Sequence, residues 1–184
     1  MKTWQSLSRR MLAILLSAAM LALAAANTAQ AADDFWAHQI GVQVNVAYGE
    51  DPTQVFDLYL HGQRTGEPDY FAMDSDPRPT LIWIHGSGWI AGDKAAEIPQ
   101  LIPYLERGWN VVNVNYRQGP ASAPEAVDDV LCAYQRVIEI GEATGMPTDQ
   151  IVVSGASAGG HLALLVGMLN TRGEHPCRTA SPPM

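Results

Sequence analysis

The stretch "IVVSGASAGGHLALLV", residues 151 to 166, constrains the fold of this chain more than any other. A β-branched apolar run breaks at small residues around one serine and resumes as an apolar, helix-like segment. Gly155, Ser157 and Gly159 fit G-x-S-x-G. The pattern has a mechanical reason: a strand that turns at once into a helix holds its central residue in a strained conformation and leaves no room for bulky neighbours. Gly155, Ala156, Ala158, Gly159 and Gly160 supply the missing bulk. Taken alone, the five positions fit equally well a small-residue turn whose serine only caps the helix.

The surroundings favour the first reading. "TLIWIHG" (80 to 86), "NVVNVNY" (110 to 116) and "QIVVSG" (150 to 155) are short β-branched runs of the kind buried on both faces of a parallel sheet. Helical stretches lie between them. "KAAEIPQLIPYLERG" reads as a helix interrupted by its prolines and ending at Gly108. "SAPEAVDDVLCAYQRVIEIGEATG" places Val127, Val130, Leu131, Tyr134, Val137 and Ile138 on one face. Upstream, "GVQVNVAYG" (41 to 49) and "VFDLYLHG" (55 to 62) alternate like two antiparallel strands near a sheet edge, joined by "EDPTQ". Strand and helix alternation predicts an α/β fold, a mostly parallel sheet with helices on both sides and functional loops at the carboxyl ends of the strands.

A second motif stands at such an end. "WIHGSGWIAGDK", Trp83 to Lys94, follows a predicted strand with a glycine-rich loop in which bare backbone N–H groups can face a developing oxyanion. His85 reads as the residue that orients this loop by hydrogen bonding, not as a base. Gly86 permits close approach to a substrate.

On "DLYLH", "IHGSGW", "GDK", "NYR" at 115 to 117, "PEAVDDV" and "GASAGGHLAL", the chain resembles the α/β-hydrolases, specifically the hormone-sensitive-lipase-like esterases and the related feruloyl and acetyl esterases. The resemblance covers residues 42 to 170. It implies the N-terminal part of that fold, about five strands of the usual eight, with Ser157 as nucleophile and the backbone N–H groups of Ser87, Gly88 and Ala158 as oxyanion hole. His85, Gly86, Gly155 and Gly159 support the loop and the turn. Ser87 stands where the family's H-G-G-G loop has a glycine, and its Cβ disfavours a positive φ. The family's acid and histidine follow the serine on later strands. Here the resemblance stops near Asn170, so the chain is expected to be cut short before both. His175 is the one histidine in the right chain order; beside Glu174 in a polar tail, it is a poor candidate for a preorganised base. His38, His61 and His161 are not expected to serve, His161 being a packing residue beside the loop.

Asp128 and Asp129, early in a predicted helix, suit a surface or dipole role. Tyr116 and Arg117 are expected to fix the loop. Trp83, Trp89 and Trp109 read as core or pocket wall in preference to a carbohydrate platform, with Trp89 able to line an acyl pocket.

Lys2, Arg9 and Arg10 precede the uncharged run from Met11 to Ala26, and "NTAQA" follows with small residues at Ala29 and Ala31. That predicts a secretory signal peptide over 1–31, cleaved after Ala31, then a hydrolase-like region over 32–170 and a polar tail over 171–184. The mature chain is then expected to be secreted or periplasmic, without a stable membrane anchor. It would hold eight Lys and Arg against nineteen Asp and Glu, a net of −11. That surface excludes nucleic acid and anionic lipid, which need basic neutralisation. In an exported chain Cys132 and Cys177 can form a disulfide, and an inert buried thiol at Cys132 is an equal alternative.

These readings converge on a carboxylesterase-type serine hydrolase acting on a small-molecule ester, with no cofactor and no metal. An inactive remnant, a non-catalytic ligand-binding protein on the same fold, and an arylformamidase or peptidase stand as alternatives. If no further strand follows the run at 150 to 154, its apolar edge invites self-association.

Overall fold

The computed structural model describes residues 39–64, 71–73, 78–170 and 177. The expected leader over 1–31, His38, Glu174 and His175 lie outside them. The chain divides into a unit Met1–Gln39 and a unit Ile40–Met184, and from Ile40 onward the sheet and its helices belong to the second.

Among the described residues six strands form one sheet: β1 (Gln39–Ala47), β2 (Val55–Arg64), β3 (Phe71–Met73), β4 (Thr80–Ile84), β5 (Asn110–Val114) and β6 (Ile151–Gly155). Their order is β1-β2-β5-β4-β6, with β3 paired to β2. The three β-branched runs are its parallel centre: β4 pairs in parallel with β5, Thr80 opposite Asn110, and with β6, Thr80 opposite Ile151. β2 runs antiparallel to β5, from Phe56 opposite Val114 to Tyr59 opposite Val111. All five runs read as strands from the sequence are therefore present. The sixth strand, β3, lies antiparallel to β2 with Gly62 opposite Met73, and three residues are too few to show an alternation.

Side chains of β4 alternate between the two faces of the sheet, with Ile82 and Ile84 on one of them. Ile82 packs with Phe56, Leu58, Val112, Ala133 and Val137, and Ile84 with Tyr116, Val130, Leu162 and Val166. These two clusters join the sheet to helices α2 (Ala123–Thr144) and α3 (Ala158–Asn170). Leu81 points the other way and meets Leu101 of helix α1 (Ile98–Leu105) and Val111. Helices thus flank both faces, as the alternation of elements requires.

Local sequence explains the helix boundaries. A 3-10 turn, Lys94–Glu97, precedes α1, and the Asp93 carboxylate caps it by accepting from Ala95 N at 2.8 Å. α1 begins with Pro99 in its first turn and carries Pro103 inside, which accounts for its shortness. α2 ends at Gly145, left-handed at φ 80°, whose N–H reaches Gly141 O at 2.8 Å.

The face of α2 turned to the core differs from the one drawn from its apolar residues. Ala126, Asp129, Val130, Ala133, Val137 and Gly141 are buried, while Val127, Tyr134 and Ile138 are only half-buried. A fully buried carboxylate was invisible to a hydrophobic count. Cys132, half-buried on this helix, forms a disulfide with Cys177, which settles the choice between thiol and bridge.

Among the described residues β6 ends the strand order on its side. Val152, whose partner Leu81 faces α1, is 44% exposed, and Leu164 on the outer side of α3 is 70% exposed.

Candidate active site

Where β6 passes into α3, Ser157 takes φ 50°, a left-handed conformation that L-residues other than Asn and Asp adopt only under constraint. The constraint comes from how closely the turn sits against β4. A Cβ at Gly155 or Gly159 would strike the Ile84 carbonyl oxygen, and the one at Gly159 would also lie 2.6 Å from His85 O. Ala156 N donates to Ile84 O at 3.2 Å, and Gly159 N to Ala156 O at 2.8 Å. Ser157 is left exposed at the tip.

The glycine-rich loop lies against the same tip. A Cβ at Gly86 would come 2.8 Å from Ala156 O and 3.4 Å from the Ser157 Cβ, so the two motifs, far apart in sequence, are in contact. Beyond Gly86 the chain bends left-handed at Ser87 (φ 78°), Gly88 (φ 63°) and Trp89 (φ 65°). The N–H groups of Ser87 and Gly88 donate to no described residue. Ala158 opens α3, where first-turn N–H groups have no helical acceptor. Three backbone donors are thereby left for an anion at the end where the helix dipole is positive.

Ser87 does what its Cβ disfavours. A non-glycine residue in this region is strained by about 1–2 kcal/mol, and glycine there loses about 0.5–1 kcal/mol through backbone entropy. Ser87→Gly is therefore expected to stabilise the fold by roughly 0.5–1 kcal/mol. Urea unfolding checks this, and a lower midpoint in the variant would contradict it.

His85 is buried and its ring stacks on Tyr116, centroids 4.4 Å apart and planes 14° from parallel. Its Nε2 lies 3.2 Å from the Gln118 amide nitrogen, which donates, so Nδ1 carries the proton and donates to Gly86 O at 2.9 Å. Burial pushes its pKa down, which favours this neutral form. His85 thus ties the Gly86 carbonyl to the Gln118 side chain through its two ring nitrogens. Gly92 (φ 114°) is needed beside it, since a Cβ there would lie 2.6 Å from Nδ1. The Tyr116 hydroxyl donates to His85 O at 3.1 Å and Gly86 O at 3.2 Å, and burial pushes its pKa up to about 12.

Arg117, two residues beyond Asn115, is tied to Asp129 of α2. Its N–H donates to Asp129 Oδ2 at 2.8 Å, and its guanidinium reaches both carboxylate oxygens, at 2.6 Å from Nη2. Gln54 Nε2 adds a bond to Oδ1 at 2.6 Å. The surface or dipole role read for Asp129 is therefore corrected: the carboxylate is fully buried and serves as an anchor, while Asp128 is exposed. His161 is exposed and meets the half-buried Trp89 edge-on at 5.5 Å.

A second anchor escaped sequence reasoning. Lys94, of the G-D-K run, is buried and pairs with Asp57 at 2.8 Å. Its only sequence signal was a lone acid within the alternating strand "VFDLYL". Among the described residues no group of acids, histidines and cysteines is placed to hold a metal, and none hydrogen-bonds the Ser157 hydroxyl.

The BD-FAE family model matches residues 70–181. The chain is 30% identical over 125 residues to esterase LipC of Mycobacterium tuberculosis, an alignment that covers 67% of this chain and 29% of that protein. Among solved structures, esterase B from Lactobacillus rhamnosis aligns at 26% identity and TM-score 0.59, over 85% of this chain and 54% of that one. A bacterial heroin esterase aligns at 27% identity and TM-score 0.55, over 76% and 42%. The chain thus spans less than a third of this curated relative.

Proposed function

Because the chain belongs to the BD-FAE family and has an α/β-hydrolase fold, we propose that it is built to hydrolyse carboxylic esters of small molecules, with Ser157 as the nucleophile. The Ser157 hydroxyl oxygen attacks the ester carbonyl carbon and gives up its proton. The carbonyl oxygen becomes an oxyanion facing the N–H groups of Ser87, Gly88 and Ala158. Collapse breaks the bond to the alkoxy oxygen, the alcohol leaves with a proton, and water then cleaves the acyl-serine to a carboxylic acid. One observation carries this reading: the exposed, left-handed Ser157 lies against Gly86, at the start of a loop whose next two N–H groups have no acceptor among the described residues.

The serine needs a base to take its proton, and no described residue bonds its hydroxyl. The purified chain is therefore expected to turn over short p-nitrophenyl esters very weakly. The residue of catalysis left by an oxyanion hole and binding alone is about 10³ to 10⁴ over water. Acceleration of less than about tenfold over water sinks the ester-hydrolase reading. Rates of an ordinary esterase, lost in Ser157→Ala, would show that a base within this chain reaches the serine. The same absence of a bonded base supports a second reading, a ligand-binding or inactive form of the fold, distinguished by saturable ester binding without turnover.

The reading includes export. The basic start, the apolar run and the A-x-A site support cleavage after Ala31. Amino-terminal sequencing of the exported chain should begin at Ala32, and an intact Met1 would contradict it.

A further inference from the structure

The loop from Gly86 to Gly92 is weakly held from within. Ser87, Gly88, Ile90, Ala91 and Gly92 are exposed, and the backbone bond the loop makes across itself, Ile90 N to Ser87 O, is long at 3.3 Å. Ser87, Gly88 and Trp89 are nevertheless left-handed in a row. Strained residues persist only where their surroundings over-determine them. Here those surroundings are the segment that follows β5. Gly119 N donates to Trp89 O at 3.1 Å and the Ser122 hydroxyl donates to the same oxygen at 3.0 Å, which fixes the middle of the loop.

The two ends are joined by one side chain. The half-buried Gln118 places its amide nitrogen 3.0 Å from Gly92 O and 3.2 Å from His85 Nε2. The Gly92 carbonyl can only accept, so the amide turns its nitrogen, not its oxygen, to this side. That nitrogen carries two hydrogens, one for each neighbour. His85 Nε2 must then accept, which leaves the ring proton on Nδ1, the atom 2.9 Å from Gly86 O. A chain of three bonds thus runs from Gly92 O through Gln118 and His85 to Gly86 O. It closes with this one tautomer.

We propose that Gln118 is a positioning residue for ester hydrolysis: its amide selects the His85 tautomer and clasps the loop at both ends, so that Ser87 and Gly88 keep the turn that leaves their N–H groups free for an oxyanion. The inference rests on the reading of those two groups as oxyanion donors. Gln118 acts through His85 and the loop, not on the reacting atoms. A methionine in its place fills similar space but donates nothing, and a glutamate would present acceptors to both Gly92 O and Nε2.

Those two replacements, made in the full chain, form the test. In Gln118→Met the Ser87 and Gly88 amide resonances are expected to shift, and kcat for p-nitrophenyl acetate to fall at least about tenfold with KM held within about twofold. In Gln118→Glu the carboxylate draws a proton onto Nε2, and the His85 pKa, followed by its ring nitrogen resonances, is expected to rise by about one unit or more. Asp93 and Glu97, the acids whose charges reach the ring, and Tyr116, stacked on it, are the same in both variants. Several outcomes overturn the proposal: a parent His85 with its proton on Nε2, Ser87 and Gly88 resonances or a kcat in Gln118→Met that match the parent, or an unmoved His85 pKa in Gln118→Glu. The nitrogen and amide spectra need no turnover. A parent without esterase activity would therefore overturn the ester reading, while the spectra still decide whether Gln118 holds the loop.

Discussion

Alanine at Gly159 is expected to destabilise the chain by about 4 kcal/mol or more, at the far end of what a single methyl group does. Alanine at Gly167, two turns along the same helix, is expected to add up to about 1 kcal/mol. A Cβ at Gly159 strikes the carbonyl oxygens of Ile84 and His85, whereas one at Gly167 meets nothing within 4 Å. The Ile84 carbonyl cannot retreat, because β4 is paired with β5 on one side and β6 on the other, and His85 O is held by the Tyr116 hydroxyl. The relief of replacing a helical glycine is available at Gly167 and cancelled at Gly159. Chemical denaturation of the two variants decides the matter: equal midpoints would mean that α3 does not rest on β4.

Asp57→Ala carries the second large effect, a loss of about 3–5 kcal/mol, the range for stripping a buried ion of its partner. The Lys94 ammonium lies 2.8 Å from Asp57, and both side chains are less than a tenth exposed. Asn45 closes the group: its side chain accepts from Lys94 Nζ at 2.9 Å and its N–H donates to Asp57 Oδ1 at 2.8 Å. Without Asp57 the ammonium keeps only a neutral oxygen. Because the Lys94 main chain bonds Asn115 and Asn113, the segment that ends the loop is unseated as well. The double variant Asp57→Leu with Lys94→Met is expected to recover most of the loss, since it leaves no charge behind. A single variant within about 1 kcal/mol of the parent in urea unfolding would show that water reaches the pair.

What the sequence made legible was whatever a short window can display. β4, β5 and β6 announce themselves as β-branched runs, and Gly155, Ser157 and Gly159 report a crowded turn because small residues have few other reasons to gather there. Gly86 and His85 followed from their place after a strand. Asp129 and Asp57 were opaque for a physical reason. A buried carboxylate is tolerable only with a partner, and those partners, Arg117 and Lys94, lie on other elements at separations no periodicity records. β3 was too short to alternate.

The strand order also sets a sequence of events. β4 and β5 join Thr80 to Asn110 across one helix, and β2 and β5 join Phe56 to Val114, but β4 and β6 must bring Thr80 to Ile151. The entropy of closing a loop rises with its length, and long-range parallel pairing is the slow part of such topologies. The contact between Gly86 and Ser157 exists only once that longest closure is made. The corner where Gly86 meets Ser157 is therefore expected to form late in folding, after the β4–β5 and β2–β5 pairings.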